Sequence, residues 1–195
     1  MKKKCLFLGY SKSETSLINF IEKKNYVVKN YKKVPPLKIF LKSDLIVSFG
    51  FRKILKQNIL KNIKIPIFNI HLSYLPYNRG AHPNFWSFME NTPSGVSIHE
   101  INEKIDAGNI IIRKKIYFDI KKNKSNTFRK TYNFLKISSE KLFKKNFYKI
   151  VHQKYRKIKN YKNGSFHYKK NLPKIIKDWD ENIILTKKKF YKNLD

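Results

Sequence analysis

Ile65-Pro66-Ile67-Phe68-Asn69-Ile70-His71 decides the fold class. A short apolar run of this kind, without strict polar alternation, reads as a strand covered on both faces, the pattern of a parallel sheet. Asn69 and His71 stand at i and i+2, so both side chains leave the strand on one face near its carboxyl end. That end is where open α/β sheets place their ligands.

Reading outward toward the N-terminus, Cys5-Leu6-Phe7-Leu8-Gly9, Tyr26-Val27-Val28 and Asp44 to Phe49 are strands of the same kind. Between them, Ser13 is placed to cap a helix running to about Lys24, and Ile54 to Lys61 has helical spacing. Toward the C-terminus, Pro83 to Asn91 reads as a helix with proline in its first turn. Gly95 to Ile101 alternates with period two, Asn109 to Ile116 is a further strand, and the loop between them carries Asp106. A long amphipathic helix is expected from about Ser125 to Lys149. Strands alternating with helices give an α/β class: a mostly parallel twisted sheet with helices on both faces. Residues 1–150 form the main domain in this reading. Residues 151–195 form a basic C-terminal extension wrapping the core, irregular from Gln153 to Leu172 and helical from Trp179 to Tyr191.

The chain has 195 residues, of which 41% are apolar, enough for a sizeable core. Its single cysteine, Cys5, excludes a disulfide framework and a multi-thiolate metal site, so no metal is expected. The net charge of +31 resembles a nucleic-acid footprint, but only five of the 44 basic residues are Arg. Lysine with 20 Asn, 25 Ile and two Ala is the signature of AT-rich coding rather than of bidentate base readout. Specific nucleic-acid binding is therefore not expected, whereas charge-driven, non-specific binding to polyanions at low salt is. No segment reaches membrane-spanning length, and Met1-Lys2-Lys3-Lys4 is followed by too short an apolar run for a signal peptide. A cytoplasmic protein without membrane partners is expected.

Asn69-x-His71 and the carboxylate of Asp106 together suit acyl transfer to an amine. The amide holds a carbonyl oxygen, the imidazole moves protons near neutral pH, and the carboxylate orients or ionises it. Taken singly, a histidine at a strand end is more often structural, an aspartate before Ala-Gly is more often a turn residue, and Arg79-Gly80 reads as a surface turn. Order and spacing favour the combined reading.

Asn69-x-His71-x-Ser73-x-Leu75-Pro76, Arg79-Gly80, Gly95-Val96-x-Ile98-His99 and Ile105-Asp106-x-Gly108 together resemble the folate-dependent formyltransferases. That family includes glycinamide ribonucleotide, methionyl-tRNA and amino-sugar formyltransferases. The resemblance implies a Rossmann-like formyltransferase fold and 10-formyltetrahydrofolate as formyl donor. The transfer is direct, through a tetrahedral intermediate, with Asn69, His71 and Asp106 as the catalytic trio. It also implies a pterin site formed by Phe49, Phe51, Arg52, Ile54, Ile105 and Asp106, although Phe51 equally suits ordinary core packing.

Tyr74 to Trp86 and Gly164 to Lys170 look most like the amino-sugar branch. That similarity implies a small anionic amine acceptor, a nucleotide-linked amino sugar, met by Ser73, Tyr74, Arg79, Gly80 and Trp86, with Trp86 as an aromatic for the base. Two departures bear on the alternatives. The first strand is followed by one glycine where the glycinamide ribonucleotide enzymes carry a glycine-rich loop, and the chain is short for a methionyl-tRNA enzyme's added domain. A basic nucleic-acid-binding module on the same scaffold is the non-enzyme alternative. Many relatives pair through extra C-terminal elements, so a homodimer is one state the resemblance implies. His82 and His167 are open between acceptor-side and structural roles, and His99 is expected to face core or solvent.

Overall fold

The computed structural model describes residues 2–120, 122, 126–160 and 163–192. Its main sheet has six strands: β1 (Lys3–Gly9), β2 (Tyr26–Tyr31), β3 (Leu45–Phe49), β4 (Ile67–His71), β6 (Gly95–Glu100) and β7 (Ile110–Lys115). Their spatial order is β2-β1-β3-β4-β6-β7. The first four are parallel, and Ser48 in β3 stands beside Asn69 in β4. Ile101 N–H donates to Ile67 O at the start of β4, and Glu100 N–H to Asn109 O just before β7. Ile116 N–H also donates to Ser94 O, and Ser97 Oγ to Ser73 O, so strand β6 runs opposite to both neighbours; the sheet is mixed but mainly parallel, the expected α/β class.

The chain divides into two compact units built from interleaved stretches. One holds residues 1–71, 98–112 and 140–159; the other holds 72–97, 113–139 and 160–195. The stretch beyond residue 150 is thus shared, with 151–159 in the first unit and the rest in the second.

In the first unit, Leu6, Leu8, Phe40, Ile46, Leu55 and Ile67 form a core to which β1, β3 and β4 each contribute. Continuous apolar runs are needed because β1 and β3 are covered on both faces. At the carboxyl end of β1 the backbone of Gly9 has φ +109°, and a Cβ there would meet Phe49 O at 2.0 Å. Only glycine lets the chain turn this close to β3.

Helix α1 (Leu17–Glu22) starts later than Ser13 predicts. The serines before it are committed elsewhere: Ser11 makes a tight turn with Glu14, and Ser16, at the cap position, donates its hydroxyl to Glu140 Oε2 at 2.5 Å. Helix α2 (Leu37–Leu41), after Pro35-Pro36, was not anticipated, and it buries Phe40. The helical stretch expected over Ile54 to Lys61 shrinks to α3 (Gln57–Leu60).

The second unit contains α4 (Pro83–Met89), with proline in its first turn as expected, and a two-stranded pairing of β5 (Arg79–Gly80) with β8 (Phe166–His167). Phe85, Trp86, Phe88, Met89, Phe128 and Ile183 form its core. Helix α5 (Phe128–Val151) matches the long amphipathic segment, whose expected start at Ser125 lies outside the described residues. In the tail, Ile158 exchanges backbone hydrogen bonds of 2.8 Å with Ile110, so the stretch expected to be irregular adds a bridge beside β7. Helix α6 (Ile183–Lys192) begins after Asn182, whose Oδ1 accepts the N–H groups of Ile184 and Leu185. Among the described residues no helix is long and apolar enough to cross a membrane.

Candidate active site

Strand β4 ends with Asn69 and His71 on one face, as the i, i+2 spacing requires. Asp106 comes from the loop between β6 and β7, where its own backbone is left-handed at φ 49°. A non-glycine residue there is uncommon and costs conformational energy, a feature that gathers at functional sites. Gly108 explains how the loop reaches β4's end: a Cβ on it would strike Glu100 O at 1.8 Å, so only a bare Cα lets the loop lie against β6.

Three side chains meet on the Asp106 carboxylate. Asn69 Nδ2 donates to Asp106 Oδ1 at 3.1 Å. His71 Nδ1 stands 3.7 Å from Oδ2, within ion-pair range but beyond a good hydrogen bond. His99 Nε2 lies 3.3 Å from Oδ1 and 3.1 Å from Asn69 Nδ2. The His71 and His99 rings meet edge to face at 6.3 Å.

His99 joins this cluster, a contact the sequence reading did not anticipate. Facing core or solvent was the expectation; the side chain is 1% exposed, and it is turned onto Asn69 and Asp106. The period-two pattern of β6 puts His99 and Ser97 on one face, but which face meets Asn69 depends on the antiparallel pairing with β4. No signal within a single strand carries that information.

Beside the cluster lies a cavity of about 100 Å³. Asn69, His99 and Asp106 line it with Ser48, the apolar Phe51, Ile54, Leu55, Ile101 and Ile105, and the polar Lys53, Asn102, Glu103 and Lys104. Of the expected pterin residues, Phe51, Ile54, Ile105 and Asp106 are therefore brought together. Ile54 keeps 67% of its surface exposed and Ile105 41%, which is unusual for isoleucine and suits a wall awaiting a flat apolar partner. Phe51 also packs against the core, so both of its readings hold. Phe49 and Arg52 are corrections. Phe49 is fully buried with its ring edge-on to Tyr10 at 4.9 Å, and Arg52 is exposed outside the lining, where Lys53 stands instead.

The residues expected to meet the acceptor all fall in the second unit. Ser73 is buried with its hydroxyl unpartnered, and its carbonyl accepts from Ser97 Oγ at 2.7 Å. The Tyr74 ring stacks under the Arg113 guanidinium at 4.5 Å. Arg79 and Gly80 form β5, and the Arg79 Nε is buried without a hydrogen-bond partner. Trp86 is a correction: its ring lies flat on His167 at 4.0 Å and 8°, with Phe85 and Phe190 against its edges. At 7% exposure it belongs to the aromatic core and offers no free face for a base. His167 pairs with Glu90 at 3.2 Å, and His82 stacks on Trp179, so both histidines have structural partners.

An amide donor, two imidazoles and a carboxylate beside an apolar-walled cavity can polarise a carbonyl and relay a proton, the requirements of acyl transfer. No cluster of three or more histidine, cysteine or acidic side chains suited to a metal ion occurs among the described residues.

Residues 2–136 match the formyl transferase family, and the chain belongs to it. A solved structure similar to this chain is the formyltransferase PseJ from Anoxybacillus kamchatkensis, in complex with UDP-4,6-dideoxy-4-formamido-L-AltNAc and tetrahydrofolate. The two are 35% identical with a TM-score of 0.83, over 93% of this chain and 96% of that one. The bifunctional polymyxin resistance protein ArnA of Wigglesworthia glossinidia brevipalpis is 33% identical over 144 residues, 73% of this chain and 21% of ArnA. The methionyl-tRNA formyltransferase of Prochlorococcus marinus (strain MIT 9312) is 38% identical over 104 residues, 53% of this chain and 30% of that protein. The matches thus span about a fifth and under a third of these two curated relatives.

Proposed function

We propose that this chain transfers a formyl group from 10-formyltetrahydrofolate to the primary amine of a nucleotide-linked amino sugar. The observation that carries the reading is the convergence of Asn69, His71 and Asp106, with Asn69 and Asp106 lining a cavity that also has exposed isoleucines. The choice of acceptor rests on the PseJ likeness, which extends over 93% of the chain.

The cavity's lining suits a flat, conjugated ring: Phe51, Ile54 and Ile105 supply apolar walls, with the polar Lys53, Asn102, Glu103 and Lys104 beside them. When bound there, the folate supplies an activated formyl carbon. In this reading an Asn69 N–H is aimed at the formyl oxygen, where negative charge grows as the amine attacks. His71, 3.7 Å from the Asp106 carboxylate, adds a second donor to that oxygen. Asp106 holds His71 and Asn69 in register and takes part in moving the amine's proton toward the leaving nitrogen. Arg79, with its unpartnered Nε, and the basic stretch beyond Gln153 are proposed to meet the acceptor's phosphates. A homodimer and a cytoplasmic location belong to the same proposal.

The test is a mass-spectrometric search for gain of one formyl group. The full chain is incubated with 10-formyltetrahydrofolate and a panel of UDP- and dTDP-linked amino sugars, glycinamide ribonucleotide and charged initiator tRNA. Formylation of a sugar nucleotide is expected. Formylation of glycinamide ribonucleotide or tRNA alone would replace the acceptor class. No folate turnover, with polyanion binding that collapses in modest salt, would favour the nucleic-acid module.

A further inference from the structure

Successive side chains of an extended segment leave it on opposite faces, so the inward turn of His167 decides where its neighbours go. His167 lies flat on Trp86 at 4.0 Å, with its Nε2 3.2 Å from Glu90. Phe166 before it and Tyr168 after it, whose backbone is still extended at φ −78° and ψ 157°, turn to the outer face. There they are 36% and 59% exposed, and their rings meet edge to face at 4.8 Å. Two adjoining aromatics are costly to leave in water on a surface otherwise rich in lysine.

Cations flank the pair. Lys170 Nζ stands 5.8 Å from the centre of the Tyr168 ring. On β5, Arg79 is the in-register partner of Phe166 and shares its face. The two segments are pinned together: Arg79 N–H donates to Ser165 O at 3.0 Å, Ala81 N–H to His167 O at 2.8 Å, and Asn78 N–H to Ser165 Oγ at 2.9 Å. Arg79 Nε is buried without a hydrogen-bond partner. A donor on a charged group, stripped of water and left unpaired, is costly, and an anion would satisfy it. Aromatic rings for a base and a guanidinium with an ammonium for phosphates are the complement of a nucleoside diphosphate. Single-stranded nucleic acid carries the same groups but needs a groove that tracks several phosphates. Strands β5 and β8 are two residues each and present one ring pair, which suits a single nucleotide.

We propose that Phe166 and Tyr168 form the base platform of a nucleoside-diphosphate site whose phosphates are met by Arg79 and Lys170. The inference rests on the sugar-nucleotide reading of the acceptor above, and it moves the base from Trp86, which has no free face, to the outer side of β8.

Titration calorimetry of the full chain at physiological salt tests it, with UDP, dTDP, GDP, inorganic pyrophosphate and a short thymidine oligonucleotide as probes. At least one nucleotide should bind about tenfold or more tightly than pyrophosphate, the share of a stacked base. Tyr168→Ala should weaken that nucleotide about 5–100-fold, the scale of one lost stack, and leave pyrophosphate within about twofold. Tyr168→Phe keeps the ring and should bind within about twofold of wild type. Tyr168 is exposed, so neither substitution empties the core. Arg79→Gln should weaken nucleotide and pyrophosphate together. No binding of any nucleotide, an unchanged affinity in Tyr168→Ala, or equal losses there for nucleotide and pyrophosphate overturns the proposal. So does an oligonucleotide that binds far more tightly than every nucleotide and loses that affinity in Tyr168→Ala, which would make the platform a nucleic-acid surface. The two readings fail separately. A chain that binds nucleotide through Tyr168 yet formylates no sugar nucleotide sinks the proposed reaction alone. Formylation of a sugar nucleotide with an unchanged acceptor KM in Tyr168→Ala sinks only this inference.

Discussion

Each compact unit holds a buried imidazole beside a carboxylate, and the two pairs have different fates. In the first unit His99 lies 3.3 Å from Asp106; in the second His167 lies 3.2 Å from Glu90. Both histidines sit on strands, and both are less than a tenth exposed. The surroundings differ. Asp106 also gathers Asn69 and His71 and lines a cavity, whereas the His167 ring is pressed flat onto Trp86 in an aromatic cluster. A histidine–carboxylate pair is therefore no signature of catalysis by itself. On the proposed reading, what separates the two is a third polar group with hydrogens to give, and open volume next to it.

The sharpest way to break this contrast is to neutralise each carboxylate. Asp106→Asn should cut kcat by about 10²–10⁴-fold, the range for lost acid–base groups, with His71→Ala close behind. Asp106→Asn should melt near wild type, since the two side chains have nearly the same shape. Glu90→Gln should leave kcat within about twofold. A Glu90→Gln loss rivalling that of Asp106→Asn in stopped-flow or steady-state assays would erase the distinction between the units.

Next in size is the aromatic core. Trp86→Ala should cost about 3–5 kcal/mol, the usual range for emptying a buried large aromatic site, read as a fall in urea midpoint. Turnover per folded molecule should survive. A selective rise in acceptor KM with stability intact would instead return Trp86 to the binding role that its place in the sequence suggested.

That misplacement shows where sequence reading stops. The parallel strands were legible because residues buried on both faces must be apolar throughout, and the meeting of Asn69, His71 and Asp106 was legible because their motifs occur in fixed order. Two kinds of feature were not. Short helices such as α2 depend on how Phe40 packs into the core, and α1 starts late because Ser13 lies in the turn that Ser11 and Glu14 close, while Ser16 gives its hydroxyl to Glu140, 124 residues away. Side-chain roles that depend on a partner strand were equally hidden. His99 faces Asn69 only because β6 runs antiparallel to β4, and Trp86 loses its free face only because β8 brings His167 onto it. Long-range pairing decides these, and a local pattern of tryptophan or histidine is the same either way.

The smallest expected effect concerns a carboxylate that belongs to neither pair. Glu14, fully exposed in the turn before α1, accepts from the Ser11 hydroxyl at 2.6 Å, from Lys32 at 2.9 Å and from the Ser11 N–H at 2.9 Å. The Ser11 hydroxyl first, then the Lys32 contact and the Ser11 backbone, hold its pKa down to about 2. An unfolded glutamate titrates near about 4, so the folded state binds the proton less tightly. The resulting stability is present above pH ~4 and is lost as pH falls through about 2. Glu14→Gln should therefore melt slightly below wild type at pH 6, and the two curves should converge by pH 2. Salt should shrink the Lys32 share and leave the Ser11 share, because only the former is an exposed charge pair. An equal gap at pH 2 and pH 6 would mean that Glu14 acts through packing of the turn, not through its charge.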